Sequence, residues 1–464
     1  MKYISTRGNA PAIGFEDVLL AGLAPDGGLY VPEEYPQFSP DSMRQMRSLT
    51  YAELAAEVMV PFTEGCLDKK DLLDIAVQAY GGFSHTAVAP LKQISDSLWV
   101  MELFYGPTLA FKDYALQVVG RMFDKVLKRT NKRITIVGAT SGDTGSAAIE
   151  SCKDCDHLDI FILHPHNRVS EVQRRQMTTT IAPNVFNIAL EGTFDDCQSI
   201  VKALFSDEEF SAKHSLSAVN SINWARIMAQ IVYYFRAALA LGAPDREVSF
   251  AVPTGNFGNI FAGYVAKRMG LPIKKLILGS NENDILPRFL ETGVMEKRAV
   301  KPSISPSMDI QVSSNFERLL FEMLDRDAAA VSHLMETFKY EKSYGVDTAV
   351  LKKIKNIFEG VRCTDEETKI EIGKIYKAAG EIVDPHSAIG FVAAEKFGET
   401  GVPCIVLATA HPAKFPVPVR TATGITPSLP ARLSDLMTRR ENFTVLPNTQ
   451  DAIKYFIDTA EKRI

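Results

Sequence analysis

The sequence predicts an α/β protein with two lobes built on parallel sheets around a cleft, a small mainly helical N-terminal domain, and helical insertions. Three observations predict it. The chain has 464 residues, 46% of them hydrophobic, about three times a usual ~150-residue domain and enough for more than one core. From Leu98 onward, short β-branched runs repeatedly lead through a loop into a stretch with helical spacing. The residues before that point lack the rhythm.

In chain order, "GGLYVPEEYP" reads as extended, while "TYAELAAEVMVPF" and "KKDLLDIAVQAYGGF" carry apolar residues at helical spacing, giving an N-terminal domain over 1–95. A core follows over 96–420. In it "RITIVGA" precedes "SAAIESC", "DIFILH" precedes "VSEVQRRQM", and "NVFNIAL" precedes "DDCQSIVKALF". "EVSFAVP" then precedes "IFAGYVAKRMG", with "KKLILGS" and "PCIVLATA" as later strands. Strands joined by helical crossovers imply parallel sheet. Residues 283–380, with "NFERLLFEMLDRDAAAVSHLMETF" and "VLKKIKNIFEGV", read as a helical elaboration of the second sheet. The tail, 421–464, packs on the core and ends in the helix "TQDAIKYFIDTAEKR".

A formal net charge of -5 argues against a broad basic footprint for nucleic acid or an anionic membrane. No run reaches the ~18 apolar residues of a membrane span. The N-terminal "MKYISTRGNAPAIGF" has no apolar stretch behind its basic residues, and six cysteines are scattered along the chain, so a cytoplasmic protein with reduced thiols is expected. Cys152 and Cys155, with His157 nearby, form half of a zinc or redox signature. With no second pair to complete it, no metal is expected and the pair reads as ordinary thiols around a helix end.

Ligands of open parallel sheets bind beyond the carboxyl ends of strands, which directs attention to two loops. "GATSGDTGSAA" (138–148) places glycines and hydroxyls at a helix start, suited to a small anion such as a carboxylate. "PTGNFGN" (253–259) offers close backbone approach at Gly255 and Gly258 and free amides suited to a phosphate. Neither loop has the GK[ST] ending or GxGxxG pattern of the commoner nucleotide sites. In "GPTLAFKDYALQ" (106–117), Lys112 falls where a loop becomes a helix, in surroundings that read as apolar apart from Asp113. A desolvated amine of that kind can act as a nucleophile; the bland alternative is a solvated lysine near a helix start.

"PTLAFKDYALQ", "ATSGDTGSAA", "NSINWAR" and "PTGNFGN", in that order, resemble the motifs of the threonine synthase family, enzymes of pyridoxal 5'-phosphate fold type II. "GLAPDGGLYVPEEYP" and "SSNFERL" are similar to its longer microbial and fungal subgroup. The resemblance implies that Lys112 forms the Schiff base with the cofactor and then moves protons, with Phe111 packing its base. It implies that Gly255, Asn256, Phe257, Gly258 and Asn259 hold the cofactor phosphate, and that Thr409 in "LATAHPAKF" faces the pyridine nitrogen. Ser141, Gly142, Asp143 and Thr144 would bind the substrate carboxylate, with Asp143 standing where some relatives carry asparagine beside the cofactor 3-hydroxyl. Ser221, Asn223 and Arg226 would meet the substrate phosphate. His411 and Lys414 could approach that phosphate, and Asn315 the cofactor. The implied reaction converts O-phospho-L-homoserine and water to L-threonine and phosphate.

Two other readings compete. A serine/threonine dehydratase of the same fold type needs no pocket for a substrate phosphate. A binding protein without activity has no need of Lys112. Oligomeric state, monomer or dimer, is left open.

Overall fold

A computed structural model describes residues 1–140, 142–219 and 221–460. The chain forms two compact units, neither of them contiguous. One comprises Met1–Val18, Leu23–Phe111 and Ser221–Ser428; the other Leu19–Gly22, Lys112–Asn220 and Leu429–Ile464.

The larger unit holds a six-stranded sheet in the order Phe358–Arg362, Ile273–Ser280, Val248–Pro253, Cys404–Ala408, Leu98–Glu102 and Leu91–Gln93. All neighbours are parallel except the last pair. Its strands read as continuous apolar runs because both faces are covered. On one side Val100, Ala251, Ile277 and Val406 pack with Ile372, Ile375 and Phe391 of two helices.

The smaller unit holds a five-stranded parallel sheet in the order Thr444–Pro447, Val185–Glu191, Leu158–Pro165, Ile134–Ala139 and Leu216–Ser217. Phe161, Leu163, Ile188 and Leu190 pack against Ile200 and Leu204 of the Phe194–Ser206 helix and Ile453 and Ile457 of the Gln450–Ala460 helix.

The expected helices at the N-terminus form as Tyr51–Met59 and Lys69–Tyr80, each opened by a capping box, at Thr50/Glu53 and Asp68/Asp71. The same N-terminal stretch also forms a two-stranded antiparallel ladder, Tyr3–Ser5 with Tyr30–Pro32.

The helical reading of 283–380 is incomplete. It contains an antiparallel pair, Val294–Glu296 with Ser343–Gly345, and the strand Phe358–Arg362, which joins the main sheet. The strand was hidden because "KNIFEGV" continues the helical spacing of Thr348–Lys355, and five residues are too few to establish a period of two. The tail likewise contributes a strand as well as its helix: Thr444–Pro447 pairs with Val185–Glu191. Among the described residues no helix is long and apolar enough to cross a membrane.

Candidate active site

In the smaller unit, the helix Lys112–Thr130 begins at the lysine singled out above. Lys112 is buried, and its Nζ lies 3.4 Å from Asp143 Oδ2. The carboxylate at the amine is therefore Asp143 of the next helix, where sequence proximity pointed to Asp113. Asp113 is also buried, and its charge acts on Arg432. The other oxygen of Asp143 accepts from Gln173 Nε2 at 2.8 Å, and Gln173 Oε1 accepts from Ser170 Oγ at 2.8 Å. Asp143 is thus held from behind while facing the amine.

Gly142 caps the Asp143–Cys152 helix with φ of 147°, open in practice to glycine alone, and a Cβ there would lie 2.6 Å from the Gln173 carboxamide. Thr140 Oγ1 accepts from the N–H groups of both Gly142 (3.0 Å) and Gly145 (2.9 Å). Part of the donor set expected for an anion is therefore spent within the loop, while the Thr144 N–H has no acceptor among the described residues. Ser141 lies outside the described residues.

The CxxC thiols are buried and free. Cys155 Sγ lies 3.5 Å from the Gly120 carbonyl, and burial pushes the Cys152 thiol up to about 11. Among the described residues no cluster of acidic, histidine and cysteine side chains could hold a metal.

In the larger unit, the loop after Val248–Pro253 leads into the helix Gly258–Arg268. The N–H groups of residues 255–260 have no acceptor among the described residues, and no side chain caps the helix. Phe257 adopts φ of 63°, a conformation that costs a non-glycine residue about 1–3 kcal/mol, and is held there by ring contacts with Phe316 (5.1 Å) and Phe358 (5.5 Å). A Cβ on Gly255 would meet the Ser307 carbonyl oxygen at 3.0 Å. Asn259 Oδ1 accepts from Tyr233 (2.6 Å) and Tyr234 (2.9 Å), which leaves its buried Nδ2 without an acceptor among the described residues. A run of unspent donors at a helix N-terminus has the donor chemistry that an anion such as a phosphate requires.

Asn223 caps the helix Trp224–Ala240, its side chain accepting from Ala225 N–H at 2.9 Å, and Ser221 begins the turn. Arg226 lies one turn in and is only 4% exposed, so it is no surface salt-bridge residue. Its Nη1 is buried and finds no partner among the described residues, and burial pushes its pKa down to about 10. A buried cation without a counter-charge is expensive unless an anion completes it.

Thr409 follows the Cys404–Ala408 strand. Its carbonyl accepts from Phe111 N–H (2.9 Å), its N–H donates to Ser387 Oγ (3.1 Å), and its hydroxyl makes no hydrogen bond among the described residues. Ser387 is fixed by Asp384, a buried carboxylate that also accepts from His386 Nδ1 at 2.6 Å. Phe111, half-buried, is therefore tied to the strand end just before the lysine.

His411 Nδ1 accepts from Ala413 N–H at 3.1 Å, and buried Lys414 donates to the Thr108 carbonyl at 2.7 Å, so both secure the segment. Asn315 is fully buried, with its carboxamide on the Ser221 and Asn256 carbonyls. Gln173, Ser387 and Asp384 were not foreseen. Each acts through a contact distant in sequence or through an ordinary helix cap, and neither leaves a motif.

Three family models cover the chain in succession: "Threonine synthase N terminus" at residues 2–80, "Pyridoxal-phosphate dependent enzyme" at 81–338, and "Threonine synthase, C-terminal" at 387–457. The threonine synthase of Pseudomonas aeruginosa is 55% identical over 459 residues, 98% of each chain. Among solved structures, pyridoxal-phosphate-bound threonine synthase from Brucella melitensis is 55% identical, with a TM-score of 0.98 over 99% of both chains. The yeast threonine synthase superposes with a TM-score of 0.95 at 39% identity, covering 100% of this chain and 99% of its own. Sequence, fold and the run of unspent donors agree, and the chain belongs to the threonine synthase family of pyridoxal-phosphate dependent enzymes.

Proposed function

We propose that this enzyme converts O-phospho-L-homoserine and water to L-threonine and phosphate, with the residues above in the following roles. The observation that carries this substrate is Arg226. It is a buried guanidinium without a counter-charge among the described residues, on the helix that follows the turn the Asn315 carboxamide joins to the 255–260 donors. One unit therefore offers two phosphate sites, one for a resident cofactor and one for a substrate.

The residues present fit pyridoxal 5'-phosphate. Donors at 255–260 are assigned to the phosphate, a Cβ on Gly255 would press on the Ser307 carbonyl oxygen and displace that turn, and the Thr409 hydroxyl is assigned to the ring nitrogen. Bound there, the cofactor supplies an electron-withdrawing ring that makes the substrate's α- and β-protons removable.

Lys112 takes the proton from Cα and carries protons between Cα, Cβ and Cγ. Asp143 beside it holds the amine's position, and Gln173 keeps that carboxylate from turning away. Ser141 and Thr144 are assigned to the substrate carboxylate, the Gly142 N–H being spent on Thr140 Oγ1. Ser221, Asn223 and Arg226 hold the γ-phosphate, whose departure breaks the Cγ–O bond; water adds its hydroxyl at Cβ, and Cγ gains a proton. The arginine fork matches a departing phosphate dianion. Six buried free cysteines support a reducing, cytoplasmic setting.

The test is phosphate release from O-phospho-L-homoserine set against 2-oxobutanoate formation from L-threonine. Rapid phosphate release with slow deamination is expected. The reverse preference would replace this reading with a dehydratase.

A further inference from the structure

The two phosphate-binding turns of the larger unit share one support. Ser313 Oγ donates to the Gly255 carbonyl (2.8 Å), and Asn315 donates to the Asn256 carbonyl through both its backbone N–H (3.1 Å) and Nδ2 (2.9 Å). The same Nδ2 donates to the Ser221 carbonyl at 2.9 Å, and Arg318 Nη2 to the Ile222 carbonyl at 2.6 Å. Arg318 also donates to Asn315 Oδ1 and, through Nε, to the Tyr30 carbonyl at 3.0 Å, and its guanidinium lies 5.8 Å from the Trp224 ring, two residues before Arg226. Asn315 and Arg318 are both 0% exposed.

In a trans peptide the C=O and N–H point in opposite directions. Holding the Gly255 and Asn256 carbonyls therefore turns the Asn256 and Phe257 N–H groups away from the support, and these are among the donors left without an acceptor among the described residues. Holding the Ser221 and Ile222 carbonyls fixes the peptide planes that lead into the Arg226 helix.

We infer that residues 313–318 form a brace that aims the donors of both phosphate sites, with Asn315 and Arg318 as positioning residues that touch neither ligand. Asn315 is the shared member: its single carboxamide sets the register of the cofactor-phosphate turn against the substrate-phosphate turn. This rests on assigning 255–259 to the cofactor phosphate.

Three full-length variants separate the arms. Ser313→Ala loosens only the Gly255 carbonyl, Arg318→Lys loosens chiefly the Ile222 side, and Asn315→Ala loosens both. Cofactor affinity is measured by titrating each protein with pyridoxal 5'-phosphate and following its absorbance. The substrate site is measured by KM for O-phospho-L-homoserine and by competitive inhibition with inorganic phosphate, with urea unfolding as the stability reference. Losing one such hydrogen bond corresponds to about a ten-fold change.

Ser313→Ala should weaken cofactor binding about that much and leave KM and phosphate inhibition alone, and Arg318→Lys should do the converse. Asn315→Ala should weaken both. Variants that lose stability while keeping both constants within about two-fold, or that lose both together whichever residue is changed, would overturn the brace. Wild-type protein that takes up no cofactor would instead overturn the assignment of 255–259.

Discussion

Two glycine-rich strand-to-helix loops in this molecule look alike in sequence and differ in how their donors are used. At 255–260 the backbone N–H groups find no acceptor among the described residues, no side chain there caps the helix, and the carbonyls of Gly255 and Asn256 are tied from behind. At 140–145 a threonine hydroxyl consumes the N–H groups of Gly142 and Gly145, and an aspartate heads the helix with its charge set against Lys112. The first arrangement suits a dianion that stays. The second, with fewer open donors and its own carboxylate beside an amine, suits a more weakly held anion. Composition cannot tell them apart, because the difference lies in which donors are already spent.

The sharpest challenge is Lys112→Ala. Phosphate release from O-phospho-L-homoserine should fall by about 10³–10⁴-fold, while affinity of the 255–260 loop for inorganic phosphate stays nearly unchanged. A variant that kept normal turnover would remove the lysine from the chemistry.

Next in size is Gly255→Val. The added Cβ would sit 3.0 Å from the Ser307 carbonyl oxygen and 3.4 Å from Met308 Cα, both backbone atoms that cannot swing aside. Cofactor affinity, followed by absorbance titration, should drop by about 10–100-fold. An unchanged affinity would mean the cradle is not used.

Arg226→Met should raise KM for the phosphorylated substrate by about ten-fold or more, yet stabilise the cofactor-free protein, since it removes a buried charge lacking a partner among the described residues. The sign of the pH effect follows from burial, which lowers this group's folded pKa to about 10, below its ordinary value. The cost of burying the charge is fully present below 10 and is relieved as pH rises toward the unfolded value. Urea unfolding should therefore show the wild-type deficit against Arg226→Met shrinking above pH 10. A deficit that widened there would contradict an unpaired charge.

The smallest effect belongs to the spent loop. Thr140→Val keeps the shape and removes the acceptor for two N–H groups, so stability should fall by about 1–2 kcal/mol with cofactor affinity unmoved. A loss of cofactor affinity comparable to that of Gly255→Val would erase the distinction between the loops.

What could be read in advance was whatever is local along the chain. The helix start at Lys112, the strand-loop-helix units and the turn before Trp224 all follow from short-range spacing. Asp143 at the lysine escaped because its approach depends on how two successive helices pack, and Asp113 looked nearer only along the chain. Asn315 reads from the sequence as a cofactor-side contact, and its carboxamide on two distant carbonyls is a further arrangement that no local spacing reveals. The strands Phe358–Arg362 and Thr444–Pro447 are too short to show alternation, and each becomes a strand by finding an edge to pair with.

That second strand has a consequence for how the polypeptide is made. Thr444–Pro447 covers the edge of Val185–Glu191, made roughly 250 residues earlier. At about 5–20 residues per second, a nascent chain holds that edge open for on the order of 10–50 seconds. An unpaired strand edge invites pairing with neighbouring chains, so the ribosome-bound chain carries an aggregation risk at Val185–Glu191 until Thr444–Pro447 has been made. A chain ended at residue 428 keeps that edge open and should sediment with aggregates where the full-length protein stays dispersed.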